Sequence, residues 1–446
     1  MSNPRELAVK ILVHSQEGAY VNLELNRFLT SNISPVDRAF ITELVYGVIS
    51  YRNRLDYIIS KFSNMKIKKM SKDVLNILRL GIYQIMFLDK IPVYAAVNES
   101  VEMAKKLNPG AAKFVNAILR NVLRKKDAIV YPDINKEPIR YLSVYYSFPI
   151  WMIENWIDLF GFEFTRELCK TLNKKADLCI RVNTLKISVE NLEKQLIRDG
   201  IKIKSGLFMK EAFYILEHNK FTALESFKNG FFLPQDESSM LASKVLDAKP
   251  GESILDVAAA PGGKTTHIAQ LMGNRGCITA WDIHPHRVKL LKDTCKRMGV
   301  NIVNAKVMDA RVPNEKLYNC FDRVLIDAPC SGLGVIRRKP DIKWSKSPQD
   351  IKNLQKEQNI ILQTCANYVK PGGVLLYSTC SIQPDENEFI IEKLLSEKSE
   401  FAYDDIRPFL PETLSKYIKK PFGHITLYPN IHKVNGFFIS RLKKKR

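Results

Sequence analysis

SILDVAAAPGGKT, residues 253–265, is the stretch on which the fold turns. A short apolar run, SILDV, passes into small residues, then Pro261 and the pair Gly262 and Gly263, and then into a helix-forming segment. That order describes a buried strand that turns sharply into a helix. The pattern repeats downstream in CITAWDI (277–283), NIVNAKVMD (301–309), DRVLIDAP (322–329) and VLLYSTC (374–380), with helix starts near Gly263, Pro285, Gln349 and Pro384. Strands alternating with helices predict an α/β fold with a Rossmann-like, doubly wound parallel sheet over residues 236–446. Two closing strands, HITLYP (424–429) and GFFISRL (436–442), have no long helix between them, so one of them is expected to be antiparallel.

Upstream of this the texture is different. Residues 1–130 read as all helix, with Leu7, Ile11 and Leu12 on one face. Arg38 to Phe62 repeats apolar residues at spacings of three and four, and similar runs follow at 74–88, 95–107 and 111–123. Pro35, Pro92 and Pro109 mark helix starts, where a missing N–H costs nothing. The proline-bearing stretch around 131–140 reads as a linker. Residues 141–235 then alternate helical WMIENWIDLF and SVENLEKQLIRDG with strand-like CIRVNTL and FYIL, a small α+β subdomain.

Composition narrows the function. The 446 residues carry 68 Lys and Arg against 47 Asp and Glu, a formal charge of +21. The excess is spread out: residues 1–140 hold 22 basic and 13 acidic side chains, and clusters recur at Lys66–Lys72, Arg124–Lys126, Arg337–Lys339 and Lys443–Arg446. Such a surface favours a polyanionic partner, of which nucleic acid is the commonest. No apolar run approaches the ~18 residues of a membrane span, and the N-terminus lacks a secretory pattern. The eight cysteines include no C-x-x-C pair, which speaks against a disulfide framework and a structural zinc site. The expectation is a cytoplasmic, monomeric protein without a metal.

In open α/β sheets ligands lie beyond the carboxyl ends of the strands. The loop Ala258, Ala259, Ala260, Pro261, Gly262, Gly263 and Lys264 after the first strand is therefore the first candidate site. It lacks G-x-G-x-x-G, and Ala258 stands where a P-loop needs its first glycine, although Gly263, Lys264 and Thr265 match the end of that motif. A third ligand, S-adenosylmethionine, requires a glycine turn here and an acidic residue after the second strand for the ribose. Asp282 stands there, eighteen residues beyond Lys264, and Asp309 ends the third strand, suited to the adenine amino group. Asp327 ends the fourth. Cys330 and Cys380 follow the ends of the fourth and fifth strands, and two thiols at one crevice suit nucleophilic chemistry.

DAPCSG (327–332) with STCS (378–381), behind AAPGGKT (259–265), resembles the RNA cytosine-5 methyltransferases; QDESS (235–239) and Arg181, Val182 and Asn183 are similar to that family's flanks. DRAF (37–40), LVYG (44–47) and FVNAILR (114–120) resemble the NusB RNA-binding fold. A NusB-like domain followed by a methyltransferase domain is the arrangement of bacterial 16S rRNA cytosine-5 methyltransferases. Two positions depart from the family pattern: Ala258, often Cys, and Met308, often Gly. The resemblance implies methylation of cytosine 967 of 16S rRNA from S-adenosylmethionine. In it Cys380 attacks carbon 6, Cys330 assists elimination and release, and Asp327 contacts the base. It also implies a cofactor site built from residues 258–264 with Asp282, Asp309 and Asp327, and RNA binding by the helical and α+β parts. A tRNA or 23S rRNA substrate, or a non-catalytic RNA-binding factor, are the alternatives; a P-loop NTPase is opposed by Ala258.

Overall fold

The structure is a computed structural model of the 446-residue chain, and residues 3–19, 21–29, 32–216 and 221–446 are described. The chain divides into two compact units, Met1–Lys174 with Ile336–Ser345, and Lys175–Val335 with Lys346–Arg446.

The first unit is helical. Among the described residues seven helices lead, from Pro4–Gln16 to Pro109–Lys125, and four of them start at a side-chain cap: Asn3, Ser34, Ser71 and Asn108 each accept a hydrogen bond from a backbone N–H of the first turn. Leu7, Ile11, Ile41, Leu44, Val45, Val48, Leu55, Ile58 and Ile59 form the core together with Leu78, Ile82 and Leu119. Three more helices follow, Pro138–Tyr145, Ile150–Phe160 and Phe162–Leu172, and they group with the helical unit. The sequence pattern places a linker at 131–140 and the α+β part from 141, whereas the helices that follow group with the first unit. What fixes the helical grouping is a contact far apart in sequence: Asn53 donates from its backbone to Ser147 Oγ (2.8 Å) and from Nδ2 to the Phe148 carbonyl (3.0 Å).

Residues 336–345 also belong here. The fully buried Lys343 donates from Nζ to the carbonyls of Ser50 (3.1 Å) and Ser147 (3.2 Å) and to Asn173 Oδ1 (2.6 Å), and it lies 3.7 Å above the Phe148 ring. Trp344 Nε1 donates to the Ile49 carbonyl (2.8 Å).

The second unit begins with a four-stranded antiparallel sheet: β1 (Leu178–Val182), β2 (Ile203–Ser205), β3 (Ala212–Ile215) and β4 (Phe232–Pro234), in the order β2-β3-β1-β4. Leu192 and Leu196 of the helix Val189–Arg198 bury its apolar face, with Ile180, Val182, Phe213 and Phe232.

The large sheet then comprises β5 (Ser253–Val257), β6 (Cys277–Asp282), β7 (Val303–Val307), β8 (Phe321–Asp327), β9 (Val369–Thr379), β10 (Phe401–Tyr403), β11 (His424–Leu427) and β12 (Phe437–Lys444). Its order is β10-β12-β9-β8-β5-β6-β7, with β11 also on β12. β5 to β9 are parallel to one another, and β10, β11 and β12 pair antiparallel. Both closing strands are thus in antiparallel pairs. Alternate residues serve two layers, as the pleat dictates. Ile254, Ile278 and Leu376 pack on one side with Ile268 and Leu291. Leu255, Val257 and Tyr377 pack on the other with Ile361 and Leu394. Chain order reverses at β5, between β6 and β8, which opens a crevice at the carboxyl ends of β5 and β8.

Lys343→Met should destabilise the helical unit by about 2–4 kcal/mol, since one buried and two part-buried acceptors lose their donor at once. Chemical denaturation of parent and variant checks this; equal midpoints would contradict it.

Candidate active site

The loops carrying Lys264, Asp282, Asp327, Cys330 and Cys380 all lie at carboxyl ends of strands of the large sheet. The turn after β5 is tight. Ala258 has φ 58° and Gly262 has φ 101°, a left-handed conformation that favours glycine, and a Cβ on Gly262 would also make the Leu291 side chain shift. The turn is pinned by Ala259 N to the Trp281 carbonyl (2.8 Å) and by Arg287 Nη2 to the Ala260 carbonyl (2.9 Å). From below, fully buried Arg181 of β1 donates to the Gly263 carbonyl (2.7 Å), to Thr266 Oγ1 (2.9 Å) and to Gln235. That explains the Arg181 and Gln235 motifs: they hold the start of the helix Gly263–Leu271. Asn183 does similar work further off, donating to the Gly230 and Met298 carbonyls.

Beneath the turn, Asp256 is fully buried and accepts from Thr265 Oγ1 at 2.6 Å. Burial pushes its carboxyl up to about 7, and the Thr265 hydrogen bond opposes that rise. Lys264 Nζ lies 2.7 Å from Asp327 Oδ2 and 5.0 Å from the Phe437 ring centre, while Ser378 Oγ donates to Asp327 Oδ1 at 3.0 Å. Lys264 is buried and Asp327 half-buried. The pair joins the ends of β5, β8 and β9.

The thiols meet. Cys330 Sγ and Cys380 Sγ are 3.1 Å apart, both half-buried and neither in a disulfide. The hydrogen bond between them holds the Cys380 thiol below its ordinary range, and Lys264 pulls the same way against burial and Asp327. The same hydrogen bond, burial and the neighbouring Glu386 and Asp327 push Cys330 up. The pair is therefore asymmetric: its surroundings favour ionisation at Cys380 over Cys330.

Asp282 is buried at the end of β6. Its Oδ1 accepts from His284 N (3.1 Å), and its Oδ2 is 3.3 Å from Arg287 Nη1 yet has no hydrogen-bond partner. Asp309 is placed differently. It lies two residues beyond β7 with its carboxylate held by Arg311, Nη2 to Oδ2 at 2.7 Å and Nε to Oδ1 at 2.9 Å, which lowers its pKa. No hydrogen bond or ion pair among the described residues joins it to Lys264, Asp327 or the thiols.

The motifs missed other residues. Gly334 N donates to the Cys380 carbonyl (2.9 Å), Gly436 N donates to the Gly334 carbonyl (2.8 Å), and a Cβ on Gly334 would fall 2.2 Å from the Gly436 oxygen. Glu386, fully buried, accepts from both Ser331 and Ser381. The glycine of G-L-G (332–334) and the acidic P-D-E-N-E run (384–388) were the available signals. Among the described residues no group of three His, Cys, Asp or Glu could hold a metal ion, and no helix is long and apolar enough to cross a membrane.

This site can be set beside known proteins. The 16S rRNA methyltransferase RsmB/F family matches residues 243–443, the NusB family residues 2–124, and the RsmF/B-like ferredoxin-like domain residues 148–222. The chain is 39% identical to the probable ribosomal RNA small subunit methyltransferase B of Bacillus subtilis, over 99% of this chain and 98% of that one. The chain belongs to the RsmB/F family of rRNA methyltransferases. Among solved structures, PH0851 is 28% identical over 100% of this chain and 99% of its own, with a TM-score of 0.80. NSun6 from Pyrococcus horikoshii, solved with SFG, is 26% identical over 66% of this chain and 97% of its own, with a TM-score of 0.58. Residues 2–124 of this RsmB/F member's helical unit are NusB-like, and its large sheet is the Rossmann-like methyltransferase sheet.

In the isolated protein, iodoacetamide should alkylate Cys380 faster than Cys330 at neutral pH, with a midpoint below that of a free thiol. Cys330→Ala removes the donor to the thiolate, so the Cys380 midpoint should rise. Mass spectrometry of peptides labelled across a pH series reads both, and equal labelling of the two thiols would reverse the assigned asymmetry.

Proposed function

We propose that this chain transfers a methyl group from S-adenosylmethionine to carbon 5 of a cytosine in 16S rRNA, cytosine 967, through a covalent bond from Cys380 to carbon 6. The observation that carries this reading is the thiol pair, 3.1 Å apart, beside the Lys264–Asp327 ion pair. Carbon 5 of cytosine is a poor nucleophile until a thiolate adds to carbon 6 and turns the ring into an enamine. Formation of the Sγ–C6 bond places the electron pair of the C5–C6 double bond at carbon 5. After methylation Cys330, having given up its own proton to solvent, takes the carbon-5 proton as the Sγ–C6 bond breaks, restoring the ring and the Cys380 thiolate. Asp327 faces the N3/N4 edge of the base, with Lys264 beside it to hold its charge.

The residues present suit the cofactor. Asp282 keeps one buried carboxylate oxygen without a hydrogen-bond partner, as a ribose hydroxyl would require, and the turn 258–264 lets a ligand approach backbone N–H groups. Bound there, S-adenosylmethionine would supply the electrophilic methyl group. Asp309 would reach the adenine amino group only by sharing its carboxylate with Arg311. A cytosine must leave its stack to enter such a crevice, so an unpaired or flipped nucleotide is the substrate form.

RNA binding by residues 1–130 and 141–235 belongs to the same reading. In the helical unit, Arg52, Lys68 and Lys72 line a cavity of about 820 Å³ together with Trp344, over whose ring Arg52 lies at 5.0 Å. Such cations suit RNA phosphates. A monomer at work in the cytoplasm completes the proposal.

Two measurements test it. Asp282→Ala should weaken S-adenosylmethionine binding about 10- to 100-fold in calorimetric titration while the protein stays folded; unchanged affinity would take Asp282 out of the site. On a denaturing gel with labelled RNA and S-adenosylmethionine, Cys330→Ala should accumulate a protein–RNA adduct, and Cys380→Ala should form none and lose activity. An adduct with Cys380→Ala alone would exchange the two roles, and no adduct in either variant with activity retained would remove the covalent route.

A further inference from the structure

The two cysteine loops are tied together by a group that touches neither sulfur. Glu386 sits in the turn Pro384–Glu386 with no exposed surface. Its Oε1 accepts from Ser331 N at 2.7 Å and from Gln358 Nε2 at 3.1 Å. Its Oε2 accepts from Ser331 Oγ and from Ser381 Oγ, each at 2.5 Å. Ser331 follows Cys330, and Ser381 follows Cys380. The two hydroxyl oxygens are themselves 3.2 Å apart.

The surroundings extend the tie to both sides of each thiol. Gln358 Nε2 also donates to the carbonyl of Pro329, just before Cys330 (2.9 Å). Asn387, next to Glu386, donates to the Ser381 carbonyl (3.1 Å) and accepts from Thr379 Oγ1 (2.5 Å), bracketing Cys380. Tyr377 donates its hydroxyl to the Glu386 carbonyl (2.8 Å).

A carboxylate has about four acceptor sites, and here four donors fill them. Buried without water, its charge is tolerated only while those donors stay in place, so movement of either loop would strand it. The sulfurs need such a restraint. The hydrogen bond between Cys330 and Cys380 lasts only while their loops keep the sulfurs 3.1 Å apart.

We propose that Glu386 is a positioning residue: its buried carboxylate clamps the Cys330 and Cys380 loops through Ser331 and Ser381, and so holds the two sulfurs within proton-sharing distance. The role in turnover rests on the reading of Cys380 as the nucleophile, whereas the clamp itself is a property of the RNA-free protein. Glu386 also places negative charge near both thiols. Clamp and charge therefore pull the Cys380 profile in opposite directions. Losing the charge alone lowers the pH at which Cys380 reacts, and losing the clamp raises it by removing the Cys330 donor.

The test uses the full chain with Glu386→Gln and with the double variant Ser331→Ala/Ser381→Ala, which keeps the carboxylate and removes the hydroxyl ties. Iodoacetamide alkylation of Cys380 is followed across a pH series without RNA, beside kcat and KM for methylation and the thermal midpoint. The double variant should shift the Cys380 midpoint upward and lower kcat about 10- to 100-fold, with KM for RNA and cofactor within about twofold. Glu386→Gln should lower kcat likewise. An unchanged or lowered Cys380 midpoint in the folded double variant would overturn the clamp. So would a folded Glu386→Gln protein with parental kcat. If Glu386→Gln fails to fold, Ser381→Ala alone, which keeps the backbone N–H tie of Ser331, carries the same two readouts. Should Cys380→Ala prove active, the nucleophile assignment fails, while the alkylation profiles still decide the clamp.

Discussion

Register between two parallel strands governs the site. β8 and β9 pair so that Asp327 lies opposite Ser378, with Val324 to Ile326 against Leu375 to Tyr377 beneath them. Three residues beyond Asp327 and two beyond Ser378 come the cysteines. A slip by one residue would turn Asp327 and Ser378 to the opposite face of the sheet and bury unpaired polar groups among Ile361, Leu362 and Ile390. The apolar alternation of both strands forbids that slip, so the core sets the geometry in which the thiols can meet.

On this frame the charges arrange themselves by burial. Lys264, in the first turn of its helix, meets the half-buried Asp327, which also accepts from the Ser378 hydroxyl. Asp256, one strand away and completely buried, has only Thr265 as a partner, and its carboxyl rises to about 7 in consequence. The same logic separates the two thiols, since Cys380 faces the Lys264 charge and receives the Cys330 hydrogen bond.

The helical unit uses a comparable device. The ten residues Ile336–Ser345 follow the Cys330 loop in sequence, yet they pack among the helices, where Lys343 satisfies acceptors from Ser50, Ser147 and Asn173. Burying an ammonium group is tolerable when every proton finds an acceptor and a ring lies beneath it. Phe148 supplies that ring.

The sequence by itself determined the strand and helix order of residues 253–380, the helices before residue 126, and the positions of the two cysteines, Lys264 and the strand-end aspartates. These are local features: period, caps, glycine turns and short motifs depend on neighbours within a few residues. Tertiary structure decided that residues 138–172 join the helical unit, because Asn53 meets Ser147 and Phe148 some ninety residues away. It decided that Asp309 is hydrogen-bonded by Arg311, while Asp282 keeps one oxygen without a hydrogen bond although Arg287 lies 3.3 Å from it. It also decided that Glu386 matters to the cysteines at all. A buried carboxylate gathers its donors from wherever the fold supplies them, and Ser331, Gln358 and Ser381 lie 55, 28 and 5 residues away along the chain. No periodicity or motif records a contact whose only cause is that charge cannot be buried alone.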